Sequence, residues 1–103
     1  MAGMYCLTDL LDLLIKENAQ ELRVDVGMPP QIVVRGEIRR LDLPVLTADN
    51  VAELFNSCAT SEQAEELRRC GDTHFNYISP RSGRFSARAS TEQTGFTLRI
   101  KPI

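Results

Sequence analysis

The run Val24-Asp25-Val26-Gly27-Met28-Pro29-Pro30-Gln31-Ile32-Val33-Val34-Arg35-Gly36-Glu37-Ile38 decides the fold. Two β-like runs flank a turn. Gly27 can take a positive φ at no steric cost, while Pro29-Pro30 fixes φ and lacks backbone donors. A second turn at Arg35-Gly36-Glu37 sends the chain back again. The spacing predicts a compact strand meander, not a catalytic loop.

Upstream, Glu21 to Val26 alternates as a half-buried strand does. Leu22, Val24 and Val26 face one way; Glu21, Arg23 and Asp25 face the other. Before it, Leu7, Leu10, Leu11, Leu14 and Ile15 follow helical spacing and form one apolar stripe. Thr8 is the expected N-cap, Asp9 suits the positive helix end, and Asn18-Ala19 is the expected stop. Downstream, Gly36 turns the chain into Ile38-Arg39-Arg40-Leu41, and Leu43-Pro44-Val45-Leu46 connects to a helix capped by Thr47. Val51, Leu54, Phe55 and Cys58 give that helix its core face. Thr60 opens a third helix, with Gln63 placed for a capping box. Ala64, Leu67 and Cys70 are its expected apolar side, Glu62, Glu65 and Glu66 its solvated side, and Gly71 its stop.

The last third reads as strands. Phe75 and Tyr77 alternate with polar residues, and Pro80-Arg81-Ser82-Gly83 is a turn. Phe85, Ala87 and Ala89 then point one way, with Arg84, Ser86, Arg88 and Ser90 opposite. After a turn near Gly95, Phe96, Leu98 and Ile100 point inward, leaving Thr97, Arg99 and Lys101 outward. Paired as an antiparallel hairpin, these strands place Arg84, Arg88, Arg99 and Lys101 in one basic stripe. The expected fold class is α+β. An antiparallel sheet is covered by helices, mainly on one face, in the order helix, strand meander, two helices, strand meander.

With 103 residues, 43% hydrophobic and 25% charged, the chain fits one soluble globular domain spanning 1–103. The net charge of −2 hides an asymmetry: −5 up to Cys70 and +3 beyond it. Bulk electrostatics give no reason to expect nucleic acid, but a local anionic partner fits the C-terminal third. No apolar run approaches the roughly 20 residues of a membrane span, so no membrane insertion is expected. The N-terminus lacks the basic region and apolar core of a secretory signal. Cys6, Cys58 and Cys70 have no C-x-x-C spacing and read as reduced thiols of a cytoplasmic protein.

No catalytic motif is present. His74 is the sole histidine and reads as a strand-surface imidazole. A zinc site from Cys6, Cys58, Cys70 and His74 is conceivable by count, but the spacing does not support one, so no metal is expected. Neither G-x-x-x-x-G-K-[ST] nor G-x-G-x-x-G occurs. The basic stripe is the one functional candidate. Its plain reading is a solvated sheet face; its functional reading is a phosphate or carboxylate clamp, a task that suits arginine forks.

These residues, in order, resemble the N-terminal domain of the PilT-like type IV pilus retraction and type II secretion ATPases of bacteria. The resemblance rests on Ala19-Gln20-Glu21-Leu22-Arg23-Val24, Gly27-Met28-Pro29-Pro30, Gly36, Leu43-Pro44-Val45-Leu46-Thr47, His74-Phe75-Asn76-Tyr77, Gly83-Arg84-Phe85-Ser86 and Leu98-Arg99-Ile100-Lys101-Pro102. Against the family pattern, Ser86 replaces the second arginine of Arg-Phe-Arg, Arg88 stands where Asn is usual, and His74 replaces Asp. Glu21 and Arg23 stand where the first strand has Asp and His.

The resemblance implies a PAS-like fold seated above a RecA-like motor domain in a hexameric ring. It also implies that arginines of this domain approach the nucleotide phosphates, a role that carries over by position to Arg84 and Arg99. The expected partners are a motor-ATPase domain, in cis or in trans, and neighbouring ring subunits. ATP and Mg belong to that motor domain, which is absent from residues 1–103, and this chain is not catalytic by itself. Two other readings stand beside this one. One is a stand-alone cytoplasmic interaction module or motor regulator without ATP chemistry. The other is a sensor holding a small ligand in a PAS-like pocket.

Overall fold

The computed structural model describes residues 6–92 and 95–103. Along them run α1 (Leu7–Lys16), β1 (Glu21–Val24), β2 (Gln31–Val34), β3 (Glu37–Arg40), α2 (Ala48–Cys58), α3 (Ser61–Cys70), β4 (Asp72–Ser79), β5 (Gly83–Glu92) and β6 (Gly95–Pro102). The strands form one six-stranded sheet in the order β3-β2-β1-β6-β5-β4, and each neighbouring pair is antiparallel. This is the expected α+β architecture. The pairing of β1 with β6 joins the two meanders at the centre of the sheet.

Period-2 alternation separates the two sheet faces. Leu22, Val24, Ile32, Phe85, Ala87, Ala89, Leu98 and Ile100 are buried on the covered face. α2 lies over β6, α3 over β4, and α1 against β1 and α2. Phe55 of α2 meets Phe75 of β4 and Phe96 of β6 edge-on, with ring centroids 6.1 and 5.4 Å apart. The small side chains of Ala87 and Ala89 on β5, between those strands, leave room for the ring.

Local signals fix the element ends. Gly27 adopts φ +86°, as its turn requires. Its N–H donates to Leu46 C=O at 2.8 Å, and Leu46 N–H donates to Met28 C=O at 2.9 Å. These bonds lace the connector onto the Gly-Met-Pro-Pro turn and bury Leu46. Arg35 and Gly36 both have positive φ, the geometry of a tight two-residue hairpin turn. Thr47 and Thr60 each complete a capping box, with Asn50 and Gln63 respectively. Gly71 closes α3 in the left-handed region at φ +85°.

Several expectations change. Helix α1 begins at Leu7, so its N-cap is Cys6, which supplies no side-chain cap; Thr8 lies inside the first turn. The helix ends at Lys16, and Asn18 reverses the chain at φ +54°. Ile15 is 47% exposed at the edge of the α1 stripe, one residue on from the fully buried Leu14, and Cys70 is exposed as the last residue of α3. Cys6 is exposed as well, and all three cysteines are free thiols. Glu66 does more than face solvent, since it accepts a hydrogen bond from the Thr73 hydroxyl on β4. Among the described residues, no helix is long and apolar enough to cross a membrane.

Candidate functional site

The face of the sheet away from the helices carries the charge. Register places the side chains in transverse rows, because residues paired across antiparallel strands share a face. One row reads Arg40, Gln31, Arg23, Arg99, Arg88, His74 across all six strands. An adjacent row brings Lys101 opposite Ser86, and Ser86 opposite Asn76. A third puts Arg84 opposite Ile78.

The predicted stripe therefore forms on one face but divides in two. Arg88, Arg99 and Lys101 line a shallow depression of about 390 Å³ together with Glu21, Asp72, His74 and Ser86. Arg84 lies outside that depression. It is exposed and makes no ion pair among the described residues. Its strand neighbour Ile78 is 68% exposed, and Ile103, whose N–H donates to Arg84 C=O at 3.0 Å, is 72% exposed.

Carboxylates flank the other cations. Arg99 Nη1 donates to Asp25 Oδ1 at 2.8 Å, with both side chains about three-quarters covered. Arg88 Nη2 lies 3.6 Å from Asp72 Oδ2, and Lys101 Nζ lies 3.7 Å from Glu21 Oε1. Glu21 also faces Arg23, whose Nε is 3.7 Å from Oε2. That Nε is buried and has no hydrogen-bond partner. His74 Nε2 and Ser86 Oγ share a hydrogen bond of 2.8 Å at the far end of the row. Among the described residues, no three His, Cys, Asp or Glu side chains gather as metal ligands. The face presents guanidinium donors, which suit phosphate or carboxylate oxygens.

Reading the sequence grouped Arg84, Arg88, Arg99 and Lys101 but missed Arg23, Asp25 and Glu21 as their neighbours. The alternation of Glu21-Leu22-Arg23-Val24-Asp25 already puts these charges on one side of β1. What it lacks is the partner strand, since β1 meets β6 across more than seventy residues.

No protein-family model matches the chain. It is 30% identical over 89 residues to the type IV pilus retraction ATPase PilT of Pseudomonas aeruginosa, covering 86% of this chain and 26% of that protein. Its fold superposes on a crystal structure of the pilus retraction motor PilT with bound ADP, with a TM-score of 0.87 at 18% identity, covering 93% of this chain and 28% of that one. The ATPase DotB of Legionella pneumophila superposes with a TM-score of 0.79 at 17% identity, over 97% of this chain and 30% of DotB. DotB of Yersinia pseudotuberculosis follows at 0.71 and 15%, with the same coverage of 97% and 30%. The chain thus spans between a quarter and a third of the length of these relatives. In sequence and in fold it resembles the N-terminal part of PilT-like ATPases.

Proposed function

We propose that this chain is the N-terminal regulatory and interaction domain of a PilT-like ring ATPase, working in the cytoplasm at a subunit interface. In this reading a RecA-like motor domain, in cis or in trans, binds ATP and Mg and performs the hydrolysis. The PAS-like sheet domain moves as a rigid body and passes nucleotide state between neighbours. Arg84 and Arg99 approach the nucleotide phosphates, where a guanidinium stabilises the charge of the transferring phosphoryl group.

The observation that carries the reading is the open sheet face. Among the described residues the helices pack on the opposite face, and Arg84 stands on this one exposed and without an ion pair. Arg99 Nη1 donates to Asp25, a contact that orients its guanidinium. Whichever pilus or secretion system the ring serves, the test is the same. In a ring assembled with its motor domain, Arg84→Ala and Arg99→Ala should each lower ATP turnover on the order of tenfold or more. Their amide spectra should match that of the parent chain. Unchanged turnover rejects the role.

One observation favours the second reading, an interaction module without ATP chemistry. Arg88, Arg99 and Lys101 already face carboxylates of their own chain, so the face is poised for a surface of mixed charge. Loss of the complex with the partner on both substitutions, with the partner's own turnover unchanged, selects that reading.

A further inference from the structure

We propose that the free edge of β4 pairs with the same edge of a second copy of this chain, joining two sheets across a two-fold axis. β3 and β4 are the two edge strands of the sheet. They differ in how far they resist pairing. β3 has four residues, and Glu37, Arg39 and Arg40 among them are charged. Short, charged edges discourage the addition of another strand. β4 has eight residues, Asp72-Thr73-His74-Phe75-Asn76-Tyr77-Ile78-Ser79, with no Lys, Arg or Pro among them.

The ladder fixes which backbone groups are on offer. Thr91 N–H donates to Gly71 C=O at 2.8 Å, one step before the pair Asp72–Ser90 in the β4–β5 register. Successive residues of a strand turn their N–H and C=O to alternate sides. Thr73, Phe75 and Tyr77 therefore turn theirs toward β5, while Asp72, His74, Asn76 and Ile78 turn theirs outward. Among the described residues no strand takes up that outer side.

Charge says what fits there. Gly71 alone separates α3 from β4, and α3 packs mainly on β4, so helix and strand run in opposite directions. A depression of about 440 Å³ is lined by Glu62, Gln63, Glu65, Glu66 and Arg69 of α3 together with His74. His74 belongs to the sheet face away from α3, so the depression passes round the outer edge of β4. Its helical row runs from acidic to basic, and Glu62 and Arg69, both exposed, make no ion pair among the described residues. An antiparallel copy, turned about an axis at His74, brings Glu62 beside the partner's Arg69 and Arg69 beside the partner's Glu62. The same register pairs the outward backbone of Asp72 with that of the partner's Asn76, and His74 with the partner's His74. A row that is complementary to its own reversal suits a two-fold contact. Neither Arg84 nor Arg99 takes part, so the inference goes beyond the proposed function and does not rest on it.

The test is sedimentation equilibrium of the chain over a range of concentrations, with reductant present so that the exposed Cys6 and Cys70 stay thiols. A concentration-dependent dimer is expected. Asn76→Pro removes an outward N–H without touching the β5 ladder and should weaken the dimer about tenfold or more. Leu41 N–H donates to Pro30 C=O, so Arg40 is an outward residue of β3. Arg40→Pro makes the same backbone change at that other edge and should leave the dimer unchanged. A second pair of variants leaves the strands alone. Glu62→Lys and Arg69→Glu, both on the surface of α3, should each shift the chain toward monomer, and an equal mixture of the two should dimerise again. A chain that stays monomeric at every concentration overturns the proposal. So does a dimer that Arg40→Pro weakens as much as Asn76→Pro, or a mixture that stays monomeric. The readout is self-association rather than turnover by a ring, so its failure leaves the Arg84 and Arg99 reading standing, and the reverse.

Discussion

Burial pushes the Cys58 thiol from its ordinary 9.0 up to about 12, against a smaller lowering by a backbone hydrogen bond. The side chain sits on the core side of α2, where a thiolate would lose its water. Above pH 9.0 the unfolded chain ionises while the folded one keeps its proton, which draws the equilibrium toward the unfolded state. The contribution of Cys58 to stability is complete below pH 9.0 and is lost as pH rises through about 12. The stability advantage over Cys58→Ala should therefore shrink across this window in urea titrations, and a pH-independent difference would contradict the assignment. Cys6 and Cys70, both exposed, should alkylate in the native state while Cys58 waits for unfolding. Residue identity predicted free thiols at all three positions. The position of each in its helix decides which of them meets solvent.

Helix α3 depends on its ends more than its core, since Leu67 is its one residue that is fully buried. Thr60 Oγ1 accepts from Gln63 N–H at 3.3 Å, and Gln63 Oε1 accepts from Thr60 N–H at 2.7 Å. Thr60→Ala removes half of this box and should cost about 1 kcal/mol, seen as a lower urea midpoint with unchanged slope. No shift would mean that packing of α3 on β4, rather than capping, holds the helix. This box was legible in the sequence because its partners are three residues apart. So were the Gly71 stop and the alternation of β5 and β6. The docking of the β4–β5 turn on α1 was not. Arg81 Nη2 lies 2.7 Å from Asp12 Oδ2 and 3.2 Å from Asp9 Oδ1, and Ser82 donates to Asp12 as well. Those contacts span about seventy residues, and no local periodicity encodes which turn reaches which helix.

At the scale of the molecule, the fold arises from two meanders that share one sheet, with the helices on one side and charge on the other. Binary patterning made that division readable, because each strand separates apolar from charged residues. Strand order was not readable, and strand order composes the site. Placing β1 beside β6 brings Arg23, Glu21 and Asp25 to the stripe, and converts a run of cations into cations flanked by carboxylates. Placing Ile78, Arg84 and Ile103 together makes an exposed patch of mixed character at one end of the face. Such a patch, with an arginine between two apolar side chains, suits a partner that brings both an acid and an apolar surface. The account rests on this open face engaging a motor domain. Its most direct test is sedimentation of the chain mixed with a PilT-like motor domain and ATP, comparing the parent with the Arg84→Glu/Arg99→Glu double variant. The account predicts a complex with the parent and its loss with the charge-reversed chain, both remaining folded. A complex that forms equally well with both chains would contradict it.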